Sequence, residues 1–137
     1  MIGLPVQKYR LIKADPFVLS KSEVLQAVRN YLIQDGYTTK SSADLNGADL
    51  IAENEYHTLV IEALGNYEEM QGNFTTYFSN QLVTLLRNYE NNPGKTLVMA
   101  NPDTPIIRHN VDYIKTALDE LGVVRFWVKK DLTIEWE

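Results

Sequence analysis

Apolar residues recur at helical spacing after Ser20, at Val24, Leu25, Val28, Leu32 and Ile33, and predict a helix with one buried stripe. Ser20 and Glu23 have the spacing of a capping box that opens such a helix, and Gly36 supplies its C-terminal cap. Tyr37-Thr38-Thr39 suits a short strand, and the polar stretch Ser41–Gly47 suits a turn ending in Asn46-Gly47. Ala48–Ala52 and His57–Leu64 read as two strands, and the intervening Glu53-Asn54-Glu55 predicts a tight antiparallel hairpin.

Gly65–Gly72 reads as a polar loop. From Thr76 a second helix follows, with Phe78, Leu82, Leu85 and Tyr89 on its apolar face, ended by Asn91-Asn92-Pro93-Gly94. Thr96–Ala100 is a continuous apolar run, the pattern of a buried parallel strand, and Asn101–Pro105 forms a loop at its carboxyl end. Asn110 is placed to cap a third helix carrying Val111, Ile114, Leu118 and Leu121, with Gly122 closing it. The tail folds as two strands around Lys130-Asp131. The order α-β-β-β-α-β-α-β-β predicts an α/β fold, a mixed central sheet flanked by helices. The chain shows no repeat or linker and reads as one domain, 1–137, with an extension over 1–19 and a core over 20–137.

Composition narrows the chemistry. A chain of 137 residues with 45% hydrophobic and 23% charged side chains is an ordinary globular sequence, long enough for a real core. There is no cysteine, which excludes disulfides and thiolate metal sites, and His57 and His109 lie too far apart for a local zinc motif. With neither a signal-peptide pattern nor a membrane-length apolar run, the expected location is cytoplasmic, without membrane association. A net charge of −5 argues against a freestanding non-specific nucleic-acid binder. The charge is uneven: from Ser41 to Gly94 the only lysine or arginine is Arg87, among eight carboxylates. Such an acidic middle is either a solvated face or a place that holds a cation.

Two carboxylates stand in apolar surroundings, Asp49 in Gly-Ala-Asp-Leu-Ile-Ala and Glu62 in Leu-Val-Ile-Glu-Ala-Leu-Gly. Strand alternation puts Val60, Glu62 and Leu64 on one face, so Glu62 has apolar neighbours on its own side. Burying a carboxylate unpaired costs several kcal/mol or forces protonation. Hairpin pairing would bring Asp49 and Glu62 together near one sheet end. With the carbonyl of Ala63 they would make an all-oxygen site suited to Mg²⁺ or Mn²⁺. The alternative is that both carboxylates sit at strand ends in water. Nucleophilic catalysis finds no support: Ser79 lacks a nucleophile elbow and neither histidine has a partner. Asn92-Pro-Gly-Lys-Thr96 lacks the first glycine and the strand-before, helix-after context of a phosphate loop.

Helix, Gly-x-Asp, a strand ending in Glu-x-x-Gly, then helix, strand, helix and strand resembles the plan of the PD-(D/E)xK, or restriction-endonuclease-like, superfamily. The resemblance covers roughly Ser20 to Glu137 and is nearest to resolvase-like members and, in the Trp-ending last strand, the XisH group (excision-controlling factors). It implies that Asp49 and Glu62 hold the metal, that Glu23 on the first helix also faces it, and that Gln81 on the second helix assists at the site. Leu64 stands where the family carries a lysine that activates or positions water, and a neutral side chain there removes a transition-state stabiliser. Of the basic residues nearby, Arg87 lies off the Gln81 face and Lys95 starts the next strand. The resemblance therefore implies a nuclease-like protein whose cleavage of DNA is impaired or partner-dependent. The acidic charge implies a partner protein supplying DNA affinity, or a homodimer building a basic surface from the C-terminal half. The other reading is a non-catalytic interaction or regulatory module on a degenerate nuclease fold.

Overall fold

The computed structural model describes residues 15–41, 48–66, 74–91 and 94–137. Of the turn expected over Ser41–Gly47 all but Ser41, which closes a strand, lies outside the described residues, as do most of the loop over Gly65–Gly72 and residues 1–14 of the extension before Ser20. The elements in chain order are α1 (Lys21–Gln34), β1 (Thr38–Ser41), β2 (Leu50–Glu53), β3 (Thr58–Ala63), α2 (Phe74–Asn91), β4 (Thr96–Pro102), α3 (Pro105–Asp112), α4 (Lys115–Glu120), β5 (Val124–Val128) and β6 (Ile134–Trp136).

The six strands form one sheet in sequence order. β1, β2 and β3 pair antiparallel, β3, β4 and β5 parallel, and β6 returns antiparallel to β5. This is the mixed sheet that the element order predicts. Helix α1 packs on one face, where Val24, Val28 and Leu32 meet Ile61, Val98, Ala100 and Phe126. Helices α2, α3 and α4 cover the other, where Phe78, Leu85, Ile107 and Leu118 meet Val60, Met99 and Trp127. Among the described residues no helix is long and apolar enough to cross a membrane.

Local chemistry fixes the first half as expected. The Ser20 hydroxyl accepts from the Glu23 amide at 3.0 Å, and the Glu23 carboxylate accepts from the Ser20 amide at 2.9 Å, closing the capping box. At the other end Gly36 takes φ +92°, and the amides of Gly36 and Tyr37 donate to the carbonyls of Ile33 and Leu32, a Schellman ending. The β2–β3 hairpin turns on Asn54, whose side-chain oxygen accepts from the amides of Tyr56 and His57.

Three expectations shift. β4 runs on through Asn101 and Pro102, which pair with Trp127 and Val128, so the carboxyl end of the apolar run is strand and not loop. The third helix starts at Pro105, whose fixed φ and missing amide suit a first helical position, with Thr104 as N-cap. Asn110 lies inside that helix and donates to the Ile106 carbonyl instead of capping, and the helix breaks before α4. On α2 the buried residues are Phe78, Gln81, Leu85 and Asn88, while Tyr89 is half exposed. Phe78, Leu82 and Leu85 thus face the core as expected, and Gln81, which finds hydrogen-bond partners inside, joins them in place of Tyr89.

Ile61 is fully buried in the central antiparallel–parallel junction of the sheet. Ile61→Ala should lose roughly 2–5 kcal/mol of stability, read as a lower urea midpoint at unchanged slope. A loss below about 1 kcal/mol would place that core elsewhere.

Candidate metal centre

Asp49 immediately precedes β2, and its amide donates to the Ile61 carbonyl at 3.1 Å. The ladder ends at the Leu50–Ile61 pair, and Asp49, one residue before it, brings its carboxylate to the Glu62 side chain. Glu62 does not lie in water: it is 4% exposed, among the side chains packed between the sheet and α2. Asp49 is held from two sides. Its Oδ2 accepts from the Ala63 amide at 2.9 Å and its Oδ1 meets the Lys21 ammonium at 2.8 Å.

Burial, first, then a hydrogen bond to Asp49 and the negative charge of Asp49 push the Glu62 carboxyl up to about 9, against a smaller lowering by Lys21. Burial and the neighbouring Asp49 charge therefore favour the neutral form of the Glu62 carboxyl at neutral pH. The second oxygen of Glu62, Oε1, is buried and has no hydrogen-bond partner among the described residues.

Gln81 reaches the same sheet end from α2. Its amide nitrogen donates to the Glu62 carbonyl at 3.2 Å and to Asn101 Oδ1 at 2.7 Å, tying β3 to β4. Gln81 Oε1 and Asn101 Nδ2 are buried without partners, so three unsatisfied polar atoms cluster on side chains around Glu62. Each such atom costs roughly 1–3 kcal/mol of desolvation, a concentration that ordinary cores avoid.

The structure thus brings together Asp49, Glu62, Ala63 and Gln81. It places Glu23 apart from them, with its carboxylate committed to the α1 cap. Among the described residues no three His, Asp or Glu side chains form a group able to hold a metal. Leu64 is buried in the core beneath α2, so the position two residues after Glu62 contributes packing and no charge. Lys95 precedes β4 at the end of that strand away from Asn101, and Arg87 is exposed on α2.

Two participants are not legible as such in the sequence. Lys21 sits forty-one residues before Glu62 and carries no motif; its only signal is a cation in the first turn of a helix, where the macrodipole disfavours it. Asn101 follows a continuous apolar run at a strand's carboxyl end, the place where open α/β sheets bind ligands, and the sequence marks its neighbourhood on that ground alone.

No family model matches this chain, and no curated protein matches it. Among solved structures, an XisH family protein from Nostoc punctiforme PCC 73102 has a similar fold, with a TM-score of 0.58 and 18% identity over 83% of this chain and 98% of that one. The likeness concerns the fold.

The raised Glu62 carboxyl has a thermodynamic signature. Between 4.5 and about 9 the folded chain binds a proton that the unfolded chain has released, so its contribution to stability falls as pH rises through that window. In chelator, melting temperature should therefore drop from pH 5.5 to 8.5. Glu62→Gln should flatten the slope and melt higher than wild type at pH 8.5. Parallel curves for the two proteins would contradict a raised Glu62 carboxyl.

Proposed function

We propose that this chain is a nuclease-like protein of the PD-(D/E)xK superfamily, with a divalent-metal site at Asp49 and Glu62 and phosphodiester hydrolysis on DNA that is impaired or partner-dependent. The observation that carries the reading is the buried Glu62 facing Asp49 with one oxygen unpartnered. Hard oxygen donors of this kind fit Mg²⁺ or Mn²⁺, and a cation there would replace the Glu62 proton and satisfy the orphaned oxygen. When bound, such a cation supplies Lewis acidity toward a phosphoryl oxygen. The remaining residues have positioning tasks. The Ala63 amide orients Asp49, and Gln81 fixes the Glu62 main chain against Asn101.

The basic residues of the C-terminal half bear on the partner. Arg108 contacts Asp103, Glu135 and Glu137, and its guanidinium stacks on Trp127 at 4.1 Å. Arg125 is paired with Asp119 and Glu137, and Lys129 with Glu135. Cations neutralised in this way add little attraction for phosphates, so DNA affinity beyond the weak binding of the site itself is assigned to a partner protein and not to a homodimer. The buried Leu64 favours a second reading, a non-catalytic interaction or regulatory module that keeps the fold.

Thermal unfolding with and without Mn²⁺ or Mg²⁺ separates the two. Metal at 100 times its dissociation constant should stabilise the wild type by about 2.7 kcal/mol. The shift should grow with pH, because binding releases a proton, and vanish in Asp49→Ala and Glu62→Ala. A wild type indifferent to both metals would leave the interaction module as the better description.

A further inference from the structure

We propose that Lys21 is the substrate-facing cation of this site: it neutralises Asp49 in the resting chain and turns to a DNA phosphate when a divalent cation takes Asp49. The inference rests on the metal site proposed above and adds to it a residue from a different element, with its own positioning device.

Four observations converge on Lys21. It is the first residue of α1, directly after the Ser20 cap, where a positive charge opposes the helix dipole. Its ammonium lies 2.8 Å from Asp49 Oδ1 although the side chain is 53% exposed. Only the Lys21 end of the pair is open to water, Asp49 being 15% exposed, so the ammonium is held at a mostly buried carboxylate while its own stem stays in solvent. The Ala63 amide occupies Asp49 Oδ2, which leaves Oδ1, the oxygen Lys21 covers, as the one an incoming cation would compete for. The long, half-exposed stem allows the ammonium to move outward without disturbing the core.

The fourth observation is a clamp that fixes the start of α1 against the end of β3. A Cβ on Gly65 would lie 2.6 Å from the Lys21 nitrogen, 2.7 Å from the Leu19 oxygen and 2.8 Å from the Ser20 carbonyl carbon, so only glycine permits this approach. Asn66 holds the segment just before the helix: its Oδ1 accepts from the Leu19 amide at 2.7 Å, and its own amide donates to the Leu19 carbonyl at 2.9 Å. Its side-chain nitrogen donates to Asp15 and to the Phe17 carbonyl. Gly65 and Asn66 follow Glu62 by three and four residues, so the strand that carries the buried carboxyl also sets where Lys21 begins. They are positioning residues; Lys21 is the group that meets phosphate.

The test uses the full chain as wild type, Lys21→Met, Lys21→Arg and Asp49→Asn. Mn²⁺ affinity is read by calorimetry and DNA affinity by anisotropy of a labelled oligonucleotide in Ca²⁺. Lys21→Met should bind Mn²⁺ at least about threefold more tightly, because the competing cation is gone, and bind the oligonucleotide about tenfold more weakly. Lys21→Arg should stay near wild type in both, and Asp49→Asn should lose Mn²⁺. A purely structural lysine would not tighten metal binding when removed. Mn²⁺ binding by Lys21→Met alone would also support the proposal. Unchanged or weaker Mn²⁺ affinity in Lys21→Met, with Asp49→Asn still losing the metal, would overturn the role of Lys21 and leave the metal site standing. An oligonucleotide affinity that is unmeasurable in wild type, or unchanged in Lys21→Met, would overturn the phosphate contact. Absence of Mn²⁺ binding in both wild type and Lys21→Met would overturn this inference and the metal site together.

Discussion

The contact between the buried Glu62 carboxyl and Asp49 governs the local architecture. A carboxyl group among Val60, Met99 and Phe78 can remain only if it is neutral, paired or bound to a cation. The hairpin answers this by bringing Asp49 beside it, and burial together with the Asp49 charge favours the neutral Glu62 carboxyl. Lys21 balances that charge from α1. Each partner comes from a different element, so the site exists only when β2, β3 and the start of α1 are docked together.

The same demand explains the orientation of α2. Phe78, Leu82 and Leu85 of its apolar stripe face the core, yet the helix also turns Gln81 and Asn88 inward and leaves Tyr89 half exposed. Burying Gln81 satisfies the Glu62 carbonyl and Asn101, two groups at the exit of the parallel strands that apolar side chains could not serve. Packing of the outer layer is thus subordinate to polar groups at the sheet end. Such local conflicts between pattern and placement are expected where a fold carries a site.

On the opposite sheet edge the ionic chemistry serves the fold. Arg108 lies over Trp127 while reaching Asp103, and Arg125 is buried with Asp119 and Glu137 at its ends. These contacts fasten the last two strands and α3 to the sheet. Arg108, Arg125 and Lys129, part of a basic stretch along the chain, become counterions to Glu135, Glu137 and their neighbours once β6 folds back.

The sequence by itself determined the sequence-local features: the capping box and Gly36 ending of α1, the Asn54 hairpin and the buried run of β4. Each depends on residues within one turn or one ladder step, where propensity and periodicity act directly. It also determined that Asp49 and Glu62 would meet, because a tight hairpin leaves that register little freedom. Tertiary structure decided the rest. That Gln81 joins the buried face of α2 depended on hydrogen-bond partners on β3 and β4, and the start of α3 at Pro105 followed from extension of β4 beside β5. The charge beside Asp49 came from Lys21, through a close approach at Gly65 and four hydrogen bonds made by Asn66. Contacts between residues more than forty positions apart leave no period in a single sequence, and only the docking of α1 on the sheet end brings them within reach.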